Sequence, residues 1–530
     1  MPGPVRRSCL LDAPCRSDAL AKASQALRSL AQQSTDTTIW LRNGKVRLPS
    51  LSMNTNVSSA VYGSLDAVLT PTQFLDSDFS HPTPLPVWGR VVHLARRRGE
   101  LHIVVLGASP TAGAGANGNS NRLEGGAASF PGLSWARRLH DGLGLVLRTS
   151  LNVSLRTHIF YKNAVDPSFF SWCTSRMIPH QALIVLYEVA SSTHEMDGLQ
   201  RMVTAGQLVV PRAAHVLVYW PSWTGVRSTS RRVHSEIAGM FGTDVLWGDE
   251  VVANITGRRE RRGQDGFYYD EVHPNAHGHR LLGAAAMHLL SLRLQVASQC
   301  CASLPLTSHG EQVSAVAIPE SKEEACFTSA DQLPVSFPSG SKWDLRDEGG
   351  HSGIKKWGFV SEARGDKMIL RLPEPTSAAC AGRVVGLGYL ASTRLFMGNL
   401  RLSCTGCSCF YINGFFTNRF AFPFPEVATS INYERFGAGF NASVTDMTSF
   451  TVMQNASVPC DLHILHAKRS GPQSKSGSGY SRVRVDSLFI RPADKGDIRT
   501  ALGRGKGHRK EHDDFAHFAE TCQQSRKGGG

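Results

Sequence analysis

Ser109, Asp270 and His273 are residues of this chain whose types and spacing fit one reaction. Ser109 lies in Gly107-Ala108-Ser109-Pro110-Thr111, directly after the apolar run Leu101 to Leu106, and the other two stand three residues apart in Asp270-Glu271-Val272-His273-Pro274. A serine hydroxyl is a weak nucleophile until an imidazole takes its proton. The imidazole works best when a carboxylate fixes its tautomer and stabilises its charged form. This pattern predicts Ser109 as nucleophile, His273 as general base and Asp270 as the group that orients the base.

Other patterns in the same region compete with this reading. Gly113-Ala-Gly115-Ala-Asn-Gly118 is formally a GxGxxG, but in a dinucleotide fold the first glycine ends the strand, and here Gly107 does so. No Gly-Lys-Ser/Thr follows to make a phosphate-binding loop. His194, His215, His277 and His279 lack ligand spacing supported by a second cluster and read as core or surface residues. No cofactor and no metal ion is expected. Cys404-Thr-Gly-Cys407-Ser-Cys409, with Cys380 or Cys460, has the thiols for a metal cluster or for disulfides. Nearby glycosylation sequons favour disulfides, with the connectivity left open.

The elements that must position the serine follow from hydrophobic pattern. Leu101 to Leu106, Arg156 to Tyr161, Ala182 to Val189 and His215 to Trp220 are short β-branched runs separated by helix-like stretches, of which Ser134 to Leu143 and Ala276 to Leu294 are the clearest. Alternating strands and helices predict a parallel sheet covered on both faces, with ligands beyond the carboxyl ends of the strands. Ser109 follows the first strand, as that arrangement requires. We expect a leader over 1–85, this α/β domain over 86–296, a linker over 297–334, a β-rich and sandwich-like domain with cysteines over 335–492, and a disordered basic tail over 493–530.

The chain has 530 residues, a formal net charge of +14, and a composition of 41% hydrophobic and 19% charged residues, which is that of a globular protein. The arginines concentrate in Arg96 to Arg98, Arg258 to Arg262 and the tail from Arg504 to Lys510, without interleaved aromatics to stack bases, so no nucleic-acid partner is expected. Twelve cysteines and five sequons, at Asn56, Asn152, Asn254, Asn441 and Asn455, favour an oxidising, secretory or extracellular environment. Residues 1–33 lack the apolar core of a signal peptide, and either a truncated start or an intracellular location would account for that. No stretch reads as long and apolar enough to span a bilayer; Ala381 to Leu400 comes nearest and contains Arg383 and Arg394.

The order of these motifs, a serine after the first strand and Asp-x-x-His near the end of the domain, resembles the SGNH (GDSL-type) hydrolases. Gly107-Ala108-Ser109-Pro110-Thr111-Ala112-Gly113 is similar to the family's first block, with alanine in place of aspartate. Asp270-Glu-Val-His273-Pro274, followed by Gly278-His279 and an apolar helix, is similar to its last. The resemblance implies a three-layer α/β/α flavodoxin-like domain and acyl-ester hydrolysis through a Ser-His-Asp triad. Its substrates would be acetylated glycan, lipid or other esters, with O-acetyl groups on carbohydrate the first candidate. The middle blocks depart from the family: Asn163-Ala-Val-Asp-Pro-Ser carries no glycine, and Tyr187-Glu188-Val-Ala-Ser191-Ser192-Thr193 stands where Gly-x-Asn-Asp is expected. The oxyanion-hole candidates are therefore the Ser109 amide, Asn163, Ser191 and Ser192. An acyltransferase of the same fold and a non-catalytic glycan-binding protein stay open as alternatives.

Overall fold

The computed structural model describes residues 83–116, 131–163, 165, 167–189, 196–220, 227–256, 267–270, 272–300, 325–328, 330–347, 357–374, 381–392, 399–411, 426–428, 443–454, 458–467 and 482–492. The expected leader up to residue 82, the arginines 258–262, Ser191, Ser192, Cys380 and the basic tail from residue 493 lie outside these ranges. The chain divides into two compact units. One comprises 1–163, 174–315 and 351–353; the other comprises 164–173, 316–350 and 354–530.

The first unit is built on a five-stranded parallel sheet of order β2-β1-β3-β4-β5, with β1 Glu100–Gly107, β2 Ser154–Tyr161, β3 Ile184–Glu188, β4 Ala214–Tyr219 and β5 Asp244–Trp247. This is a common doubly wound order, in which the chain reverses direction of travel at the β1/β3 boundary and leaves a crevice at the strands' carboxyl ends. Every residue of β3, β4 and β5 is buried, as the near-continuous apolar runs predict for strands covered on two faces. Leu101, Ile103 and Val105 of β1 share one core with Trp88, Val91 and Val92 of α1 (Leu85–Arg98), Trp135, Leu139 and Leu143 of α2 (Trp135–Leu151), and Leu281, Leu282 and Leu289 of α8 (Ala276–Cys300). Between them come the short helices α3 (Ser168–Trp172) and α4 (Thr174–Met177), then α5 (Met196–Val209), α6 (Arg227–Phe241) and α7 (Gly248–Thr256). Helix α5 lies over β3, where a Cβ on its Gly206 would meet the Tyr187 hydroxyl at 1.9 Å.

Local sequence explains the helix ends. Ser134 caps α2 by accepting the Arg137 N–H, and Asn152 closes it with φ 54°, a left-handed conformation that asparagine tolerates. Helix α2 runs eight residues past the expected end at Leu143, because its apolar stripe continues through Val146 and Leu147. Helix α8 is long and apolar enough by composition to cross a membrane, which corrects the expectation that no stretch is. The physical reason is its place in the core: 78% of its most apolar window is buried inside the fold.

The second unit is antiparallel. One sheet has the order β14-β12-β16-β10-β7, from β14 (Glu426–Ala428), β12 (Asn399–Thr405), β16 (Cys460–Ala467), β10 (Lys367–Leu372) and β7 (Val335–Ser336). The other runs β13-β15-β11-β17-β9-β8, from β13 (Cys407–Tyr411), β15 (Ser443–Gln454), β11 (Ala381–Ser392), β17 (Val483–Pro492), β9 (Trp357–Ser361) and β8 (Asp344–Asp347). β6 (Ala325–Phe327) also pairs with β17, so part of the stretch expected to be linker is in this sheet. Alternation is visible in β16, whose Leu462 and Ile464 are buried between less buried neighbours. Met368, Leu370, Leu400 and Ile464 of the first sheet share a core with Val385, Leu387, Phe450 and Val485 of the second, a sandwich.

Three disulfides join described residues: Cys173–Cys326, Cys404–Cys409 and Cys407–Cys460. Cys404, Cys407, Cys409 and Cys460, which the sequence left open between metal and disulfide, are thus paired. The segment 164–173 belongs to this unit through Phe169, which meets Phe489 edge to face at 5.0 Å, through Trp172 and through Cys173.

Candidate active site

Ser109 stands two residues past the end of β1, in a turn closed by Ala112 N–H to Ala108 O at 3.1 Å and by Ala114 N–H to Ser109 O at 3.0 Å. The sheet ladder reaches into this turn from both sides. Ala108 N–H donates to the Glu188 carbonyl at 2.8 Å on the β3 side, and Lys162 N–H donates to the Gly107 carbonyl at 3.1 Å on the β2 side. Gly107 is required by close approach: a Cβ there would lie 1.9 Å from the Thr111 hydroxyl.

Asp270 and His273 come from a tight loop immediately before α8. Tyr269 N–H donates to His273 O and Asn275 N–H to Phe267 O, each at 2.8 Å, so the loop is pinned at both ends. Within it, one Asp270 oxygen accepts the amides of Val272 and His273, both at 2.8 Å. Asn275 then caps α8, its Oδ1 accepting the amides of His277 and Gly278 at 2.9 Å.

These two segments bring the three residues together. His273 Nε2 lies 2.8 Å from Ser109 Oγ, and His273 Nδ1 lies 2.7 and 2.9 Å from the two Asp270 oxygens. With Nδ1–H donating to the carboxylate, Nε2 is left as the acceptor for the serine proton. Ser109 is 9% exposed, whereas the His273 and Asp270 side chains keep 20% and 33% exposure. Burial alone would raise the Asp270 carboxyl. The opposing pull of the His273 charge, its ring N–H and the two loop amides holds it below the usual aspartate range.

Behind this row, His279 ties α8 to the serine turn. Its Nε2–H donates to Ala114 O at 2.9 Å and its Nδ1 accepts the Trp135 amide at 3.3 Å. Burial pushes its pKa down to about 3, so it is neutral and fixed in one tautomer. Gly115 completes the joint with φ +82°, at a point where a Cβ would be 2.5 Å from Pro274 O.

The oxyanion candidates fare differently. Ser191 and Ser192 lie outside the described residues. Asn163 follows β2 by two residues, as Ser109 follows β1, and the two strands pair in parallel up to Gly107 and Tyr161. The Asn163 Oδ1 atom is buried and has no hydrogen-bond partner among the described residues. His215 and His279 prove to be buried core histidines, and His277 is partly buried; His194 lies outside the described residues.

Sequence reasoning gave no role to Glu188, Thr111 or Asn275. An asparagine directly before an apolar helix was a readable capping signal. An acid at the end of a strand carries no comparable sign of burial.

No family model matches the chain, and no curated protein matches it. Among solved structures, a two-domain esterase active on acetylated mannans is 14% identical, with 78% of this chain and 96% of that one aligned at a TM-score of 0.47. A carbohydrate esterase family 2 enzyme with a carbohydrate-binding domain, from Corynascus thermopiles (Myceliophthora fergusii), is 13% identical over 37% of this chain and 66% of that one, with TM-score 0.27. An active-site mutant of a family two carbohydrate esterase from Clostridium thermocellum is 13% identical over 36% and 62%, with TM-score 0.25. At these values the chemistry has to be read from this chain's own residues.

Proposed function

We propose that this chain is a serine hydrolase of SGNH type that cleaves acyl esters. The observation that carries the reading is the continuous hydrogen-bond row Ser109 Oγ, His273 Nε2, His273 Nδ1 and Asp270, at 2.8 and 2.7 Å. The 2-1-3-4-5 sheet supports it by putting the serine at the carboxyl end of β1 beside the β1/β3 switch, the place of the ligand crevice in flavodoxin-like folds.

In this mechanism His273 takes the Ser109 proton as Oγ attacks the acyl carbonyl. The resulting imidazolium is held by Asp270. For the tetrahedral oxyanion we assign the Ser109 amide and the Asn163 side-chain amide as donors. His273 returns the proton to the departing alkoxide, and a water activated by the same imidazole releases the acyl group. No metal or cofactor enters these steps.

For the ester we propose acetyl on a carbohydrate hydroxyl, since β-sandwiches include glycan-holding lectin domains. Acetylated mannan is the substrate named for one of the solved esterases above. The three disulfides support a secretory setting.

The test is labelling of the purified protein with a fluorophosphonate, followed by peptide mapping, with acetate release from acetylated mannan measured in parallel. Label on Ser109 that is lost in Ser109→Ala is expected. Folded protein that takes no label would overturn the hydrolase reading.

A further inference from the structure

Glu188 is the carboxylate that the mechanism does not use, and it lies under the nucleophile's turn. It is fully buried at the end of β3, paired in register with Gly107 of β1. Its Oε2 accepts two hydrogen bonds from one residue, Thr111, from the backbone amide at 3.1 Å and from the hydroxyl at 2.9 Å. Its Oε1 has no hydrogen-bond partner among the described residues. A buried acid with no cation beside it is unfavourable unless it remains neutral and hydrogen-bonded. That the position nevertheless holds an acid calls for a role.

We propose that Glu188 is a positioning residue for Ser109: its buried carboxyl, clamped to Thr111 across the carboxyl ends of β1 and β3, sets the turn that aims the nucleophile and its amide. The proposal rests on the reading of Ser109 as nucleophile. Thr111 is two residues from Ser109 and is itself fully buried, so a shift of its amide is passed to the serine through the closed turn. The missing side chain at Gly107 makes the room in which the Thr111 hydroxyl reaches the carboxyl.

The protonation state of Glu188 belongs to the same device. Burial pushes its pKa up to about 8, against the pull of the Thr111 hydroxyl and amide and the Ala108 amide. Among the described residues, these hydrogen-bonding groups do not titrate. On the same strand, burial raises the Tyr187 phenol still further, which leaves it neutral throughout. At neutral pH the acid is therefore mostly uncharged. Ionisation would place a buried negative charge beneath a site that must itself develop an oxyanion, and turnover falls as pH rises through about 8.

The experiment compares wild type with Glu188→Gln, Glu188→Ala and Thr111→Val, reading fluorophosphonate labelling rate, kcat and KM on a small acetyl ester, pH profile and melting temperature. Glu188→Ala and Thr111→Val should lose about 100-fold in labelling rate and kcat with KM within about twofold, the size of effect expected from a misplacement near 1 Å. Glu188→Gln, which keeps an acceptor for Thr111 and cannot ionise, should stay within about threefold of wild type at pH 7 and lose the alkaline limb near pH 8.

Wild-type kcat and labelling in folded Glu188→Ala and Thr111→Val would overturn the proposal, as would an alkaline limb retained in Glu188→Gln. A fall in melting temperature without a change in kcat would assign Glu188 a purely structural role and overturn it equally. If Glu188→Ala does not fold, Thr111→Val and Glu188→Gln decide. Absence of label in wild type would instead sink the nucleophile reading, a separate outcome.

Discussion

Gly278→Ala tests how closely the loop that holds Asp270 and His273 is set by its packing. In an open helix this change is favourable by up to about 1 kcal/mol, because alanine is the better helix former. Here the new Cβ would lie 2.2 Å from the Phe267 carbonyl oxygen and 2.8 Å from the Pro274 Cβ. Relieving the first contact requires the carbonyl and the start of α8 to part by about 1 Å. That carbonyl also accepts the Asn275 amide, so the movement passes into both ends of the 267–275 loop. Overpacking of this kind costs about 1 to 3 kcal/mol of stability. A displacement near 1 Å in catalytic geometry costs about 100-fold in rate. The assay is the rate of fluorophosphonate labelling at Ser109 together with kcat, with melting temperature measured on the same samples. Gly132→Ala, where a Cβ meets nothing within 4 Å, is the matched control. A Gly278→Ala protein that labels within threefold of wild type would refute the idea that this close approach fixes the base.

Asp270→Asn keeps the shape of the orienting group but favours the wrong imidazole tautomer, and a fall of about 10⁴-fold in kcat is expected, the size seen when the orienting aspartate of a Ser-His-Asp triad is changed this way; a loss under tenfold would remove Asp270 from the mechanism. His215, His234 and His279 are buried neutral, with pKa values pushed down to about 4, 4 and 3 by desolvation. Their contribution to stability is full above the unfolded value near 6.5 and is lost as pH falls toward 4. Melting temperature should therefore drop between pH 7 and pH 5, and His234→Gln should flatten that slope; a pH-independent melting temperature would contradict it. The Cys173–Cys326 bond closes a separation of 153 residues, and replacing both by alanine should cost about 2 to 4 kcal/mol, read as a lower denaturation midpoint with no mixed peptide in a non-reducing digest.

The parallel sheet was legible because β1, β3 and β4 each carry a run of mostly apolar residues, and a strand buried on both faces needs no alternation to be recognised. β5, Asp244–Trp247, was missed: four residues are too few for a periodic signal, and Asp244 looks like a loop residue until Arg293 and the Trp88 indole are found beside it. Helix α1 was not among the helices expected in the α/β domain, although Trp88, Val91, Val92 and Ala95 form one buried stripe. Pro84 only precedes that helix, and proline is well tolerated at such a start. At the site, the types and spacing of Ser109, Asp270 and His273 were visible in the sequence, and the fold brings them within hydrogen-bonding distance. Glu188 was not legible as a buried acid, since its environment is made by Thr111, 77 residues away in the chain. The partner of Cys173 was equally hidden, because nothing local marks Cys326.

The excursion of residues 164–173 has a consequence for how this protein can be divided or inherited. Phe169 and Phe170 are 1% exposed within the sandwich unit, while the chain on either side of them belongs to the parallel-sheet unit. No single cut yields two whole pieces. A fragment ending near residue 297 would carry a stranded aromatic strip and an unpaired Cys173, and the remainder would have a hole where two phenylalanines, each worth about 1.5 to 3 kcal/mol of burial, had been. The two halves are interleaved in the gene, and recombination that swaps one must carry along a piece of the other.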